Sequence, residues 1–241
     1  MIFVFSDFGV NGPYSGTMRS VAMRHAPDVP VCDLMCDAPD RNPKAASYLL
    51  AALCREFQEG DVVLAVVDPG VGSARNGVVV EADGVSFVGP DNGLFEMVIR
   101  RAKNVTLKVI DWMPDGASAS FHGRDIFGPV ASWLATNQEF DAHGIALDQR
   151  FGLAKEWPDE LAEVIYVDPY GNLMTGLFAR SKDEKITINK HVLSGARTFS
   201  DVPSGTAFHY GNSVGLCEVA VNCGRADQMM GAAIGTRVDA N

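Results

Sequence analysis

The chain has 241 residues, 47% hydrophobic and 21% charged, enough apolar material for one large domain or two modest ones. Thirteen phenylalanines argue against disorder, and a formal net charge of −10 argues against nucleic acid, whose phosphates need a cationic face. The five cysteines (Cys32, Cys36, Cys54, Cys217 and Cys223) form no metal-ligand spacing, and their odd number points to free thiols in a reducing interior.

No basic segment leads into an apolar run with a cleavage site near the start. No apolar stretch approaches the ~20 residues of a membrane helix. The expectation is a cytoplasmic protein without a membrane partner.

Ile2-Phe-Val-Phe-Ser6 reads as a buried strand emptying into the loop Asp7-Phe-Gly. Val29-Pro-Val-Cys-Asp-Leu34 reads as a strand running into a loop. Asn42-Pro43 predicts a helix start, with Asn as N-cap and Pro in the first turn, and Ala46, Leu49, Leu50 and Leu53 line one apolar face. Asp61 to Val67 is a continuous apolar strand ending at Asp68. Strands over Gly77–Glu81 and Val85–Gly89 flank the turn signal Ala-Asp-Gly. Helices are expected over Gly93–Ala102 and over Ile126–Ala135, the second capped by Asp125 with Ile126, Phe127, Val130, Trp133 and Leu134 inward. This alternation predicts a Rossmann-like α/β domain with a mostly parallel sheet, whose ligands gather at the carboxyl ends of the strands. Beyond Glu156-Trp-Pro-Asp159 the pattern changes to short strands (Glu163–Val167, Lys185–Ile188, Thr206–Tyr210, Leu216–Val221, Thr236–Val238) between tight turns. We therefore expect an α/β domain over residues 1–157 and an all-β, barrel-like domain over 158–241.

Four clusters carry chemistry, and none is a P-loop or dinucleotide loop. In Val67-Asp-Pro-Gly-Val-Gly-Ser-Ala-Arg75 the prolyl-glycyl reversal can return Arg75 to Asp68. On spacing alone, a pair that braces the turn and a pair that reacts are equally compatible. In Ser120-Phe-His-Gly-Arg-Asp125, His122 is the histidine best placed for proton handling, and Gly123 permits close backbone approach to a ligand. Arg124 and Asp125 are expected to brace and cap that turn. Asp7, followed by Phe8 in a Gly-rich loop, is placed to accept ribose hydroxyls or to cap a turn. Asp168-Pro-Tyr-Gly-Asn172 and Tyr210-Gly-Asn-Ser-Val-Gly-Leu-Cys-Glu218 set polar groups beside glycines, fit either for ligand edges or for turns.

Six stretches in register resemble the SAM hydroxide adenosyltransferase family (SAM, S-adenosyl-L-methionine), whose relatives include SAM-dependent fluorinase and chlorinase. They are Ser6-Asp-Phe-Gly9, Val67 to Arg75, Gly89-Pro-Asp-Asn-Gly-Leu94, Phe121-His-Gly-Arg-Asp-Ile-Phe127, Asp168 to Asn172 and Gly211-Asn-Ser-Val-Gly215. The resemblance implies hydrolysis of SAM to adenosine and L-methionine, with no cofactor and no metal, in a homotrimer whose sites lie between neighbouring subunits. It assigns the attacking water to Asp68, Arg75 and His122. It places Asp7 on the ribose, and Asp168, Tyr170, Asn172 and Ser213 on the methionine part or the adenine. Phe8, Gly123, Asn212 and Glu218 complete the expected binding set. Halogenating relatives carry a tyrosine where Asp68 stands and other residues in place of His122. Departures from the family pattern occur at Gly12, where an acidic residue is usual, and at Gly176, where an asparagine often stands.

Overall fold

The structure, a computed structural model, describes residues 1–240. The chain divides into two compact units, Met1–Lys155 and Glu156–Asn241.

The first unit is built on a seven-stranded sheet in the order β2-β1-β3-β5-β4-β6-β7, among the described residues. The strands are β1 (Ile2–Ser6), β2 (Val31–Met35), β3 (Val62–Val66), β4 (Gly77–Ala82), β5 (Val85–Pro90), β6 (Val105–Ile110) and β7 (Ala142–Gly144). β2, β1, β3 and β5 run parallel, whereas β4, β6 and β7 pair antiparallel at the other edge. All five residues of β3 are buried, as a parallel strand covered on both faces requires.

Period-two alternation sorts the side chains. Ile2, Val4, Val62, Leu64 and Val66 face helices α1 (Tyr14–His25) and α4 (Gly128–Ala135) through Met18, Ala22, Val130 and Ala131. On the opposite face Phe87 meets Phe57 and Phe95, beside helices α2 (Pro43–Leu53) and α3 (Glu96–Arg101). Asn42 caps α2 as expected, accepting from the Ala45 N–H at 3.0 Å.

Three local expectations need correction. α3 starts at Glu96 because Gly93 sits at φ +96°, a left-handed conformation that an α-helix cannot include. Asp125 does not cap α4: it lies inside a π-helical turn, Gly123–Phe127, and accepts from the Ser118 N–H at 2.8 Å instead. α1 was not foreseen, since only Met18 and Ala22 of its twelve residues are buried and the apolar stripe is too sparse to read.

Among the described residues the second unit contains two antiparallel sheets. One has the order β12-β13-β9-β8 and the other β11-β10-β14. The strands are β8 (Leu161–Val167), β9 (Leu173–Phe178), β10 (Lys185–Ile188), β11 (His191–Ser194), β12 (Ala207–Gly211), β13 (Leu216–Val221) and β14 (Val238–Ala240), with one short helix, α5 (Ala226–Met230). The sheets bury Leu173, Ile186, Ile188, Leu193 and Val219 in a common core. β14 starts two residues later than expected, because Thr236 is held in a turn by its bonds with Ala233. Gly176 has a packing reason: a Cβ there would stand 2.6 Å from the Cβ of Leu161 on β8. Among the described residues no helix is long and apolar enough to cross a membrane.

Candidate active site

β1 and β3 are parallel neighbours with Ser6 opposite Val66, so the loops that follow them start side by side. Asp7 and Asp68 occupy those loops, close enough for each charge to act on the other. Asp7 is half-buried and accepts from the Arg41 N–H at 2.9 Å. Burial raises its pKa above the ordinary carboxylate value, partly opposed by that hydrogen bond.

The chain after Asp68 turns at Gly72, which is left-handed (φ +79°) and packs so tightly that a Cβ would meet the Ala119 carbonyl oxygen at 2.7 Å. Only glycine permits that approach. It draws the Asp68–Arg75 turn against the segment leading to His122. Arg75 then donates through Nε to Asp68 Oδ1 at 3.1 Å and through Nη2 to Asp68 Oδ2. The same Nη2 lies 3.0 Å from His122 Nδ1. Asp68 and Arg75 are nearly inaccessible, with side chains 5% and 3% exposed. Beneath them the Phe127 ring, fully buried, lies 5.3 Å from the guanidinium and 6.4 Å from the imidazole.

A buried ion pair is weak evidence of a stability role, since well-packed apolar replacements are often neutral or stabilising by about 1–4 kcal/mol. A brace alone also has no use for a third partner. Here the guanidinium joins a carboxylate to an imidazole. Arginine has only donors, so His122 Nδ1 is the acceptor of that contact and the ring proton sits on Nε2. Burial, and then the positive charge of Arg75, depress the His122 pKa and favour this neutral form.

Gly123 contributes through packing: a Cβ would stand 3.1 Å from Met18 Sδ and 3.4 Å from Val66, so the π-helical turn lies directly on the core. Arg124 and Asp125 do brace the loop, bonded to each other at 2.6 and 2.8 Å. Phe8, Tyr14 and Phe121 form an aromatic triangle with ring centres 5.5–5.7 Å apart, lining a cavity of about 430 Å³ with Ser118, Ser120 and Arg124. Tyr14 and Phe121 were not singled out as binding residues. The signal available was an aromatic beside each motif: Phe8 just after β1, Tyr14 at the start of α1 and Phe121 immediately before His122.

The other candidates belong to the β unit, where Asp168, Tyr170, Asn172, Asn212, Ser213 and Glu218 all line one cavity of about 670 Å³. That size suits a small-molecule ligand. Asp168 ends β8 and folds its loop around itself: Oδ1 accepts from the N–H groups of Tyr170 (2.9 Å) and Asn172 (2.8 Å), and Oδ2 accepts from Asn172 Nδ2 (2.8 Å). The turn reading of this motif therefore holds, and the turn lines a cavity. Tyr170 is 77% exposed. Glu218 is buried, accepting from Tyr210 Oη and from Asn212 Nδ2 at 2.8 Å, and burial raises its pKa. Among the described residues no lysine or arginine lines this cavity, so its carboxylates favour a cationic ligand group. Among the described residues no group of three or more His, Cys, Asp or Glu side chains is arranged to hold a metal ion.

Comparison with known proteins identifies the family. Residues 2–144 match the SAM hydroxide adenosyltransferase N-terminal domain and residues 162–239 match its C-terminal domain. The (R)-S-adenosyl-L-methionine hydrolase of Thermus thermophilus is 35% identical, over 95% of each chain. The protein of the same name from Salinispora arenicola is 32% identical, over 97% of this chain and 94% of that one. A conserved uncharacterized protein of Thermotoga maritima superposes with a TM-score of 0.88 at 26% identity, covering 100% of this chain and 99% of that one. The chain belongs to the SAM hydroxide adenosyltransferase family.

Proposed function

We propose that this chain hydrolyses SAM to adenosine and L-methionine, by attack of water on the 5′ carbon of the ribose. Three groups direct that water: Asp68, Arg75 and His122. The observation that carries the reading is the array in which one buried guanidinium holds both a carboxylate and an imidazole.

The roles follow from the donors and acceptors. Each Asp68 oxygen keeps a lone pair beyond its bond to Arg75, so Asp68 accepts the proton of the water. His122, with Nδ1 committed, offers Nε2–H to the oxygen and stabilises hydroxide character there. Arg75 fixes both partners and supplies positive charge beside the nucleophile. The oxygen bonds to C5′ while the carbon–sulfur electron pair leaves on sulfur. Because a hydroxide-like oxygen and a sulfonium neutralise each other as they react, a site dried by the bound nucleoside favours the step. Proton transfer of this kind contributes on the order of 10²–10⁴-fold, and positioning of the nucleophile about 7–11 kcal/mol.

Asp7 holds the ribose hydroxyls, and Phe8, with Tyr14 and Phe121, packs against the nucleoside. The cationic ammonium of the methionine part suits the carboxylates of the β unit, above all Asp168, with Asn172, Asn212, Ser213 and Glu218 supplying polar edges and Tyr170 an aromatic wall. As the family resemblance implies, three copies assemble, with each site between neighbours and Gly123 close to the ligand. Sedimentation reporting a single chain at assay concentrations would count against that assembly.

The test is direct. Incubation of the protein with SAM, both sulfur diastereomers included because relatives carry the (R) name, should release adenosine and methionine in equal amounts on a chromatogram. Tight SAM binding without any adenosine would instead make the chain a binding module.

A further inference from the structure

Hydrolysis consumes one water in each turnover, and on the proposed reading a nucleoside whose ribose is held at Asp7 covers the adjoining Asp68 side of the triad. A third cavity, of about 160 Å³, touches the triad itself. Arg75 and His122 form part of its wall, while Asp7, Phe8 and Asp68 do not. Ser73, Asn76, Trp112 and Met113 form much of the remainder. Ser73, Asn76 and Met113 are exposed, Met113 by 58%, so the cavity opens to solvent at that rim.

The chamber has the properties a water store needs. Its volume is several times the ~10–15 Å³ that one water requires, and the guanidinium, the imidazole and the side chains of Ser73 and Asn76 offer the 2–4 polar partners that hold one in place. Trp112 gives it an apolar wall.

We propose that this cavity is the water port of the reaction: the nucleophile enters past Ser73 and Asn76, along Arg75 and His122, after SAM has closed the other side. The inference rests on the hydrolytic reading above. In the step it serves, the port water forms the oxygen–carbon bond, the carbon–sulfur pair leaves on sulfur, and the proton stays on Asp68 until the products depart.

Plugging the rim tests it. Asn76→Phe and Met113→Trp place bulk in the opening and leave the side chains of Asp68, Arg75 and His122, and the Asn76 carbonyl that Arg75 Nη1 reaches at 3.4 Å, chemically unchanged. Each should lower kcat by about tenfold or more while KM for SAM and the Kd for adenosine stay within about twofold, the signature of a lost step after binding. Met113→Ala, which widens the rim, should leave kcat at or above the parent value. Full kcat in both plugged variants overturns the port, and so does loss of adenosine binding together with turnover, which reports a distorted site. A parent protein that releases no adenosine at all fails earlier, at the hydrolytic reading itself.

Discussion

Asp68 and Asp168 each follow the end of a strand, and each has both oxygens occupied, yet their partners differ in kind. Asp68 faces a guanidinium that also reaches an imidazole. Asp168 faces two backbone N–H groups and one amide, all neutral. Neutral donors position a carboxylate without cancelling its charge, which leaves Asp168 able to attract a cation. A guanidinium cancels the charge of Asp68 and brings a second polar group to the same point. The first arrangement fits recognition and the second fits chemistry.

The comparison breaks most readily at Asp68. Asp68→Ala should lower kcat on the order of 10²–10⁴-fold while adenosine, measured by titration calorimetry, binds almost as before. The same change leaves Arg75 buried without its partner, and a loss of about 3–5 kcal/mol in thermal or denaturant unfolding should accompany it. Asp168→Asn should act on the other parameter. Removing one charge-assisted contact, worth about 1.5–3 kcal/mol, raises KM for SAM roughly 10–100-fold with a smaller change in kcat. If both variants lowered kcat alike, the proposed division of labour between the two carboxylates would be wrong.

A milder test uses pH. Below its depressed pKa His122 takes a proton on Nδ1, which then faces the Arg75 donor, and the array is lost. Activity should therefore hold as pH falls past 6.5, the ordinary histidine value, and decline only at lower pH. A decline centred above 6.5 would contradict the neutral imidazole. The smallest effect expected is none: on the proposed reading Asp68 and His122 direct water, so saturating chloride or fluoride should yield no halogenated nucleoside. A halide-dependent product would move the chain among the halogenating relatives.

Much of this was legible in the sequence, and what was not has physical causes. β1, β3 and α2 carry dense apolar patterns or a capped start, so local chemistry alone defines them. Asp68, Arg75 and His122 stood out by type and by the turn residues around them. Their joining depends on Gly72 meeting the Ala119 carbonyl 47 residues further on, a contact between two loops that no spacing rule encodes. The cap expected at Asp125 failed because that residue lies inside a π-helical turn that runs directly into α4. β9 escaped notice for a similar reason. Gly176 interrupts its pattern, and the need for that glycine appears only when Leu161 lies opposite. Gly176, a departure from the family pattern, is accounted for by strand packing.

The most direct test of the central claim is to run the reaction in water enriched in oxygen-18 and analyse the products by mass spectrometry. Attack by a triad-held water on the 5′ carbon predicts adenosine carrying one heavy oxygen in its 5′ hydroxyl, beside unlabelled methionine. Unlabelled adenosine, or methylthioadenosine in its place, would show that the nucleophile or the bond broken is a different one.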